Sequence, residues 1–113
     1  MRKIIDNKIY NTKTAEKIVE IYHGQDAYDL DHYGEMLYRT KKGNFFLYKT
    51  GGANSIMGKP YENNSRRGSE DIIDFTRAQA VEWAFDAHKI NELNAADIEA
   101  FREALDMDEF EEA

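Results

Sequence analysis

The chain has no cysteine, a single proline and no long apolar run. Without cysteine it cannot hold a disulfide framework, a thiolate metal site or a cysteine nucleophile. No hydrophobic stretch approaches the ~20 residues that a membrane-spanning helix requires. The start of the chain, MRKIIDNKIY, is too short and too charged for the apolar core of a signal peptide. These absences predict one soluble, cytoplasmic domain covering residues 1–113.

Basic residues are scarce in the C-terminal part of the chain. From Glu70 onward there are fourteen acidic residues and three basic ones, whereas residues 1–69 hold eight acids and twelve bases. A strongly negative surface attracts basic partners and repels nucleic acid. It can also resemble the charge of a nucleic-acid backbone. Our candidate partner-binding acids are Glu82, Asp86, Asp97, Glu99, Glu103 and Asp106.

Sequence signatures of catalysis are also missing. The loop serines Ser55, Ser65 and Ser69 do not occur in a G-x-S-x-G setting. The glycines do not form the G-x-x-x-x-G-K-[ST] phosphate loop. We therefore expect a non-enzymatic protein that uses no cofactor.

A small metal protein is an alternative, because His23, Asp26 and His32 supply suitable donor types. Their spacing matches no established metal motif, and the stretch lacks the glycine and terminal glutamate of a calcium loop. A polar surface loop explains these residues more simply. We therefore predict no metal site.

Two hairpins and a helix are predicted in the first half of the chain. Polar residues Asp6-Asn7-Lys8 separate two short apolar pieces, as in a hairpin turn. A helix capped by Asn11 or Thr12 is expected to follow and to end at Gly24. Its apolar face would consist of Ala15, Ile18, Val19 and Tyr22. Residues 25–35 are expected to form a loop with one helical turn.

The central hairpin is the clearest local pattern. Residues 36–40 and 45–49 are β-prone, and Gly43 between them can supply the positive φ of a turn. Residues 71–75 predict a third central strand. The intervening residues 51–69 predict a long surface loop, which is often functional in a compact domain.

Two helices are predicted toward the C-terminus. Thr76 and Gln79 match a capping box for a helix that runs to about His88. Asn94 caps a last helix, and residues 106–113 form an acidic tail that we expect to fray.

Together the segments predict an α+β domain, with an antiparallel sheet of three to five strands packed on N-terminal and C-terminal helices. Trp83 is expected at the centre of the core, against Phe46 or Ile73.

The basic residues suggest a different function. Basic and aromatic residues are interleaved on hairpin 37–49, and such a surface can hold a single nucleic-acid strand by stacking bases on its aromatic rings. The basic residues are Arg39, Lys41, Lys42 and Lys49, and the aromatic ones are Tyr38, Phe46 and Tyr48. Arg66 and Arg67 could add phosphate contacts. An accessory nucleic-acid-binding or regulatory protein is therefore the alternative function, although the pI near 4.9 argues against it. Tyr48 and Tyr61 are candidate anchors in either kind of interface.

Several stretches resemble a family of short proteins carried on phages, plasmids and integrative elements of Gram-positive bacteria. The most specific stretch is LYRTKKGNFFL, residues 37–47, followed by Gly51-Gly52-Ala53. Also similar are KII at residues 3–5, YNTKTA at 10–15, and the Ile72-Ile73 and Trp83-Ala84 pairs. The resemblance covers about residues 1–88.

Some proteins of this type act as anti-CRISPR inhibitors. The resemblance therefore implies a non-enzymatic inhibitor, and its expected partner is a host defence protein, most plausibly a CRISPR effector or its guide complex. A DNA-mimicking acidic surface would then occupy a basic nucleic-acid groove of that effector. The family supplies no established set of active residues to transfer.

Overall fold

The computed structural model describes residues 1–24, 29–89 and 92–105, the side chains of residues 88 and 89 excepted, and every structural statement below concerns this part of the chain. It contains eight strands and two helices. The strands are β1 (Arg2–Ile5), β2 (Lys8–Asn11), β3 (Glu16–His23), β4 (Tyr33–Arg39), β5 (Phe45–Gly51), β6 (Lys59–Pro60), β7 (Arg66–Arg67) and β8 (Ser69–Phe75). The helices are α1 (Arg77–Lys89) and α2 (Ala95–Leu105).

The main sheet has four antiparallel strands in the order β3-β4-β5-β8. Strands β1 and β2 form a separate hairpin, and β6 and β7 form a short ribbon within the connection from β5 to β8. The α+β class, the antiparallel sheet and the C-terminal helices agree with the sequence-based prediction. No helix in the described part of the chain is long and apolar enough to cross a membrane.

The predicted N-terminal helix is wrong, because Glu16–His23 form the edge strand β3. The pairing of β3 with β4 shifts register between Lys17 and Val19, as in a β-bulge. Both Ile18 and Val19 therefore pack on the same cluster, and Ile21 follows two residues later. This bulge gives a strand the apolar spacing of a helix, while the β-branched side chains favour the sheet.

The capping signal that suggested this helix instead closes a single turn. The backbone amides of Thr14 and Ala15 both donate to the Asn11 carbonyl, and the Lys13 amide donates to the Asn11 side chain. One turn forms, and the chain then enters β3 because pairing with β4 buries more apolar surface than a solitary helix would.

Both predicted hairpins are confirmed. The first turns at Asp6 and Asn7, which have φ values of 51° and 65°, as a two-residue type I′ turn requires. The central hairpin turns at Gly43, where φ is 88°. There the Gly43 amide donates to the Thr40 carbonyl at 2.9 Å. The predicted third strand is also present, as β8.

The loop predictions are only partly right. Tyr33–Glu35, expected in a loop, begin β4, and residues 25–28 lie outside the described residues. The expected long loop 51–69 contains the β6–β7 ribbon, and its last residue begins β8.

Both predicted helix starts are confirmed as reciprocal caps. The Thr76 amide donates to Gln79 Oε1 at 2.8 Å, and the Gln79 amide donates to Thr76 Oγ1 at 3.1 Å. Asn94 and Asp97 exchange the same pair of bonds at the start of α2, at 3.1 and 2.9 Å. Each pair satisfies two amides that a helix start would leave unbonded. The acidic tail, residues 106–113, lies outside the described residues.

The sheet is covered on both faces. On one face, Val19, Leu37 and Phe45 pack with Ala80, Ala84 and Phe101 of the helices. On the other, Phe46 and Ile72 pack against Tyr10 of β2. The Phe46 ring lies 5.0 Å from the Tyr38 ring and 5.5 Å from the Tyr10 ring, measured between centroids.

The predicted core centre is therefore wrong. Trp83 is partly buried at the margin of the helix-side cluster, whereas Phe46 belongs to the cluster on the opposite face. Ile73 is 37% exposed and forms no core centre either. Strand alternation sends neighbouring residues to opposite faces, so Phe45 rather than Phe46 meets the helices.

Truncation of Phe46 tests whether this second cluster is part of the core. Phe46→Ala removes a fully buried ring and should lower the free energy of unfolding by about 3–5 kcal/mol. The matched control is Ile56→Ala, because Ile56 is 86% exposed and its truncation should cost less than about 0.5 kcal/mol. Urea denaturation measures both, and similar losses in the two variants would contradict the assigned core.

Candidate partner-binding surface

Helices α1 and α2 carry most of the predicted binding acids on their outer sides. Ala80, Ala84 and Ala87 point α1 toward the sheet, which leaves Glu82 and Asp86 exposed. In α2, Phe101 and Leu105 are buried, while Glu99 and Glu103 are exposed. The acids face outward because one apolar stripe per helix is enough to fix each helix on the sheet.

Two arginines fix the end of α2. Arg39 of β4 donates to the Ala104 carbonyl, and Arg77 of α1 donates to the Leu105 carbonyl at 2.7 Å. Helix C-termini carry partial negative charge and unbonded carbonyls, so cationic donors stabilise them. The position of the α2 acids therefore depends on two of the domain's basic residues.

The predicted acids have different roles in the fold. Asp97 is partly exposed and bonds to the Asn94 amide as a cap. Glu99 lies 3.4 Å from Arg102 within α2. Asp106 lies outside the described residues. The remaining three acids have exposed side chains and no ion pair within the described residues: Glu82, Asp86 and Glu103.

A groove of about 390 Å³ lies between α1 and the β3–β4 edge of the sheet. Its apolar lining comes from Ile21, Tyr33, Trp83 and Ala87, and its charged lining from His23, Glu35, Asp86 and Glu92. The His23 Nε2 atom lies 3.1 Å from Glu92 Oε2. Outside the groove lining, Lys49 approaches Glu35 at 3.9 Å.

The pKa values of two tyrosines, Tyr33 and Tyr48, are strongly raised. Burial, with the neighbouring Glu35 carboxylate, raises the pKa of Tyr33 to about 12. Burial, with a hydrogen bond from the phenol to Glu70, raises the pKa of Tyr48 to about 12. In both cases a phenolate would be poorly hydrated and close to a negative charge, so the neutral form is favoured.

Sequence reasoning did not find this groove. It depends on β3 being a strand, since His23 and Ile21 line the groove only when they extend beside Tyr33. The predicted helix placed those residues elsewhere. The usable signal was the polar Glu20 between the apolar residues Val19 and Ile21.

The other predicted site residues lie outside α1 and α2: Tyr48, Tyr61, Arg66 and Arg67. Tyr48 packs on the sheet face opposite α1 and α2. Arg66 donates to the Ala53 and Gly58 carbonyls, at 3.3 and 2.7 Å, so it organises the 51–68 connection. Tyr61 is 52% exposed, and the Arg67 guanidinium lies 5.0 Å from its ring centroid.

A second groove, of about 440 Å³, separates the β1–β2 hairpin from the β4–β5 turn. Lys8, Lys41 and Lys42 line it, and none forms an ion pair within the part of the chain that the structure describes. Phe46, predicted to stack on bases, is fully buried and inaccessible to them.

The two candidate histidine donors, His23 and His32, have different surroundings: His23 contacts Glu92, whereas His32 is buried. His32 is buried, its ring stacks on Tyr22 at 6.1 Å, and its Nδ1 donates to the Asp29 carbonyl at 2.7 Å. Asp26 lies outside the described residues. Among the residues described, no group of three His, Asp or Glu side chains is placed to hold a metal ion.

Alkaline pH should destabilise the fold through Tyr33 and Tyr48. Their pKa values near 12 lie above the unfolded value of about 10. The folded protein therefore keeps protons that the unfolded chain loses, and stability falls as pH rises from about 10 toward 12. Urea denaturation across this range measures the slope.

The double variant Tyr33→Phe/Tyr48→Phe supplies the comparison. Its free energy of unfolding should depend less steeply on alkaline pH, whatever its value at neutral pH. An unchanged slope would show that other groups cause the loss.

Comparison of the chain with known protein families, curated proteins and solved structures gave no match.

Proposed function

We propose that this protein is a non-enzymatic inhibitor that binds a basic, nucleic-acid-binding groove of another protein through the acidic surface of α1 and α2. The observation that supports it most is the exposure of three carboxylates on the helices, those of Glu82, Asp86 and Glu103. None has an ion-pair partner among the described side chains, which end at residue 87 in α1. Such carboxylates are accessible to a partner's lysines and arginines.

The distribution of internal ion pairs supports the same proposal. Lys3 pairs with Asp71 at 2.7 Å, Lys17 with Glu20 at 2.8 Å, and Arg39 with Glu16 at 3.0 Å. Lys17 and Arg39, which line a cleft together with Glu103, are thus engaged by Glu20 and Glu16, whereas Lys3 lies in the β1–β2 hairpin on the opposite side of the sheet. Together α1 and α2 hold five acids and three bases, a formal net charge of −2, which favours attraction of a basic surface.

The proposed target is a CRISPR effector or its guide complex, and the protein would act in the bacterial cytoplasm. The resemblance of residues 1–88 to mobile-element proteins supports this choice. An effector presents a positively charged channel for a nucleic-acid duplex, and a carboxylate-bearing helix pair offers it a competing surface. DNA cleavage by a panel of effectors, with and without added protein, tests the target class.

Neutralisation of one helix acid tests the surface within any complex so found. Glu103→Gln should weaken binding and reduce the dependence of affinity on salt, because one carboxylate no longer pairs with the target. Glu62→Gln is the matched control. It also removes one exposed charge, but from the 61–65 turn. Calorimetry at two salt concentrations measures both, and equal effects would place the interface elsewhere.

Nucleic-acid binding remains a second candidate, favoured by the groove that Lys8 shares with Lys41 and Lys42. A duplex or single strand would contact these lysines through its phosphates, without base stacking on Phe46. Electrophoretic mobility of labelled single- and double-stranded DNA tests this candidate. A shift at low salt that is lost in Lys41→Gln/Lys42→Gln supports it, and no shift at low salt rejects it.

A further inference from the structure

The groove between α1 and the sheet edge combines an apolar floor with an acidic rim. Ile21 and Ala87 are 8% and 6% exposed, so the floor is part of the core. Trp83 and Tyr33 add two partly buried aromatic side chains. The volume of about 390 Å³ falls in the range of pockets that accept a small ligand or a side chain.

The rim of this groove is negatively charged. Three carboxylates line it, from Glu35, Asp86 and Glu92, and His23 is the one side chain in its described lining that can carry positive charge. His23 already contacts Glu92 at 3.1 Å. Among the side chains that the structure describes, Asp86 has no such partner. A cation entering the groove would therefore meet an available carboxylate beside an aromatic ring.

We propose that this groove binds an arginine side chain presented by the basic partner. The proposal rests on the proposed function and adds the anchor point of the complex. Arginine fits both the apolar floor and the acidic rim of the groove, because its methylene stem can pack on the floor while its charged guanidinium reaches the rim. The planar guanidinium can stack on Trp83 and donate two parallel hydrogen bonds to one carboxylate.

Arginine suits the groove better than lysine for two reasons. Its guanidinium is more weakly hydrated than an ammonium group, so partial burial costs less. Its flat face also matches an aromatic wall, whereas the ammonium of lysine is a compact point charge. Interface energy commonly concentrates in such an anchor residue, with surrounding charges adding rate and specificity.

Trp83 makes occupancy directly measurable, because it is the only tryptophan in the chain. The probe is a short peptide with three arginines between glycines, titrated while tryptophan fluorescence is recorded. The same peptide with citrulline, which is neutral and nearly isosteric, and a lysine version are the comparisons. We expect a saturable change with arginine, an affinity several-fold lower with lysine, and no saturable change with citrulline.

Two double variants distinguish binding in the groove from general electrostatic attraction to the acidic surface. Asp86→Asn/Glu92→Gln should weaken arginine-peptide binding about tenfold, as loss of charge-assisted hydrogen bonds does. Glu99→Gln/Glu103→Gln removes the same number of charges from α2 and should weaken it much less. Circular dichroism and urea denaturation establish that both variants fold.

The outcomes distinguish this proposal from the proposed function. Equal weakening in both double variants, or equal affinity for the lysine peptide, would overturn the arginine groove. In that case, weaker binding of an effector by the Glu103→Gln variant would still support the proposed function. Conversely, arginine binding that requires Asp86 and Glu92 would support the groove even if no CRISPR effector were inhibited.

Discussion

The structure depends on burial of both faces of the β4–β5 hairpin. Neighbouring residues of this hairpin point in opposite directions, so Phe45 meets the helices while Phe46 meets the β1–β2 hairpin. Leu37 and Tyr38 divide in the same way on the paired strand. A four-stranded sheet with one open face would expose these aromatic residues to water. The N-terminal β1–β2 hairpin and the C-terminal helices are therefore needed on opposite faces of the sheet.

This arrangement also separates the charges. The C-terminal helices cover one face and direct Glu82, Asp86 and Glu103 outward. The N-terminal hairpin covers the other face and, with the β4–β5 turn, presents Lys8 and Lys41. The charge imbalance along the sequence is only partly converted into a difference between two surfaces, because Glu70 and Asp74 of β8 lie on the hairpin side of the sheet. A basic partner and a polyanion would accordingly be drawn to different sides of the molecule.

The sequence predicted the features that local chemistry determines. The reciprocal caps at Thr76 and Asn94 and the turn at Gly43 depend on residues a few positions apart, and all three are confirmed. Strand β3 was missed because its identity depends on pairing with β4, and its bulge at Ile18 imitates helical spacing. Trp83 was misplaced because strand alternation, not hydrophobicity, decides which face Phe46 occupies. The acids of α1 could be predicted as exposed, but the groove beside them could not, since strands β3 and β4 and helix α1 meet only in the fold.

The central claim is that the helix face, and not the hairpin face, is the surface that recognises basic molecules. An amide ¹H–¹⁵N spectrum recorded during titration with a short oligoarginine tests it most directly. The account predicts that resonances of α1, α2 and the β3–β4 edge shift, and that these shifts shrink as salt is added. Shifts confined to the β1–β2 hairpin and the β4–β5 turn, or spread evenly over the domain, would contradict it.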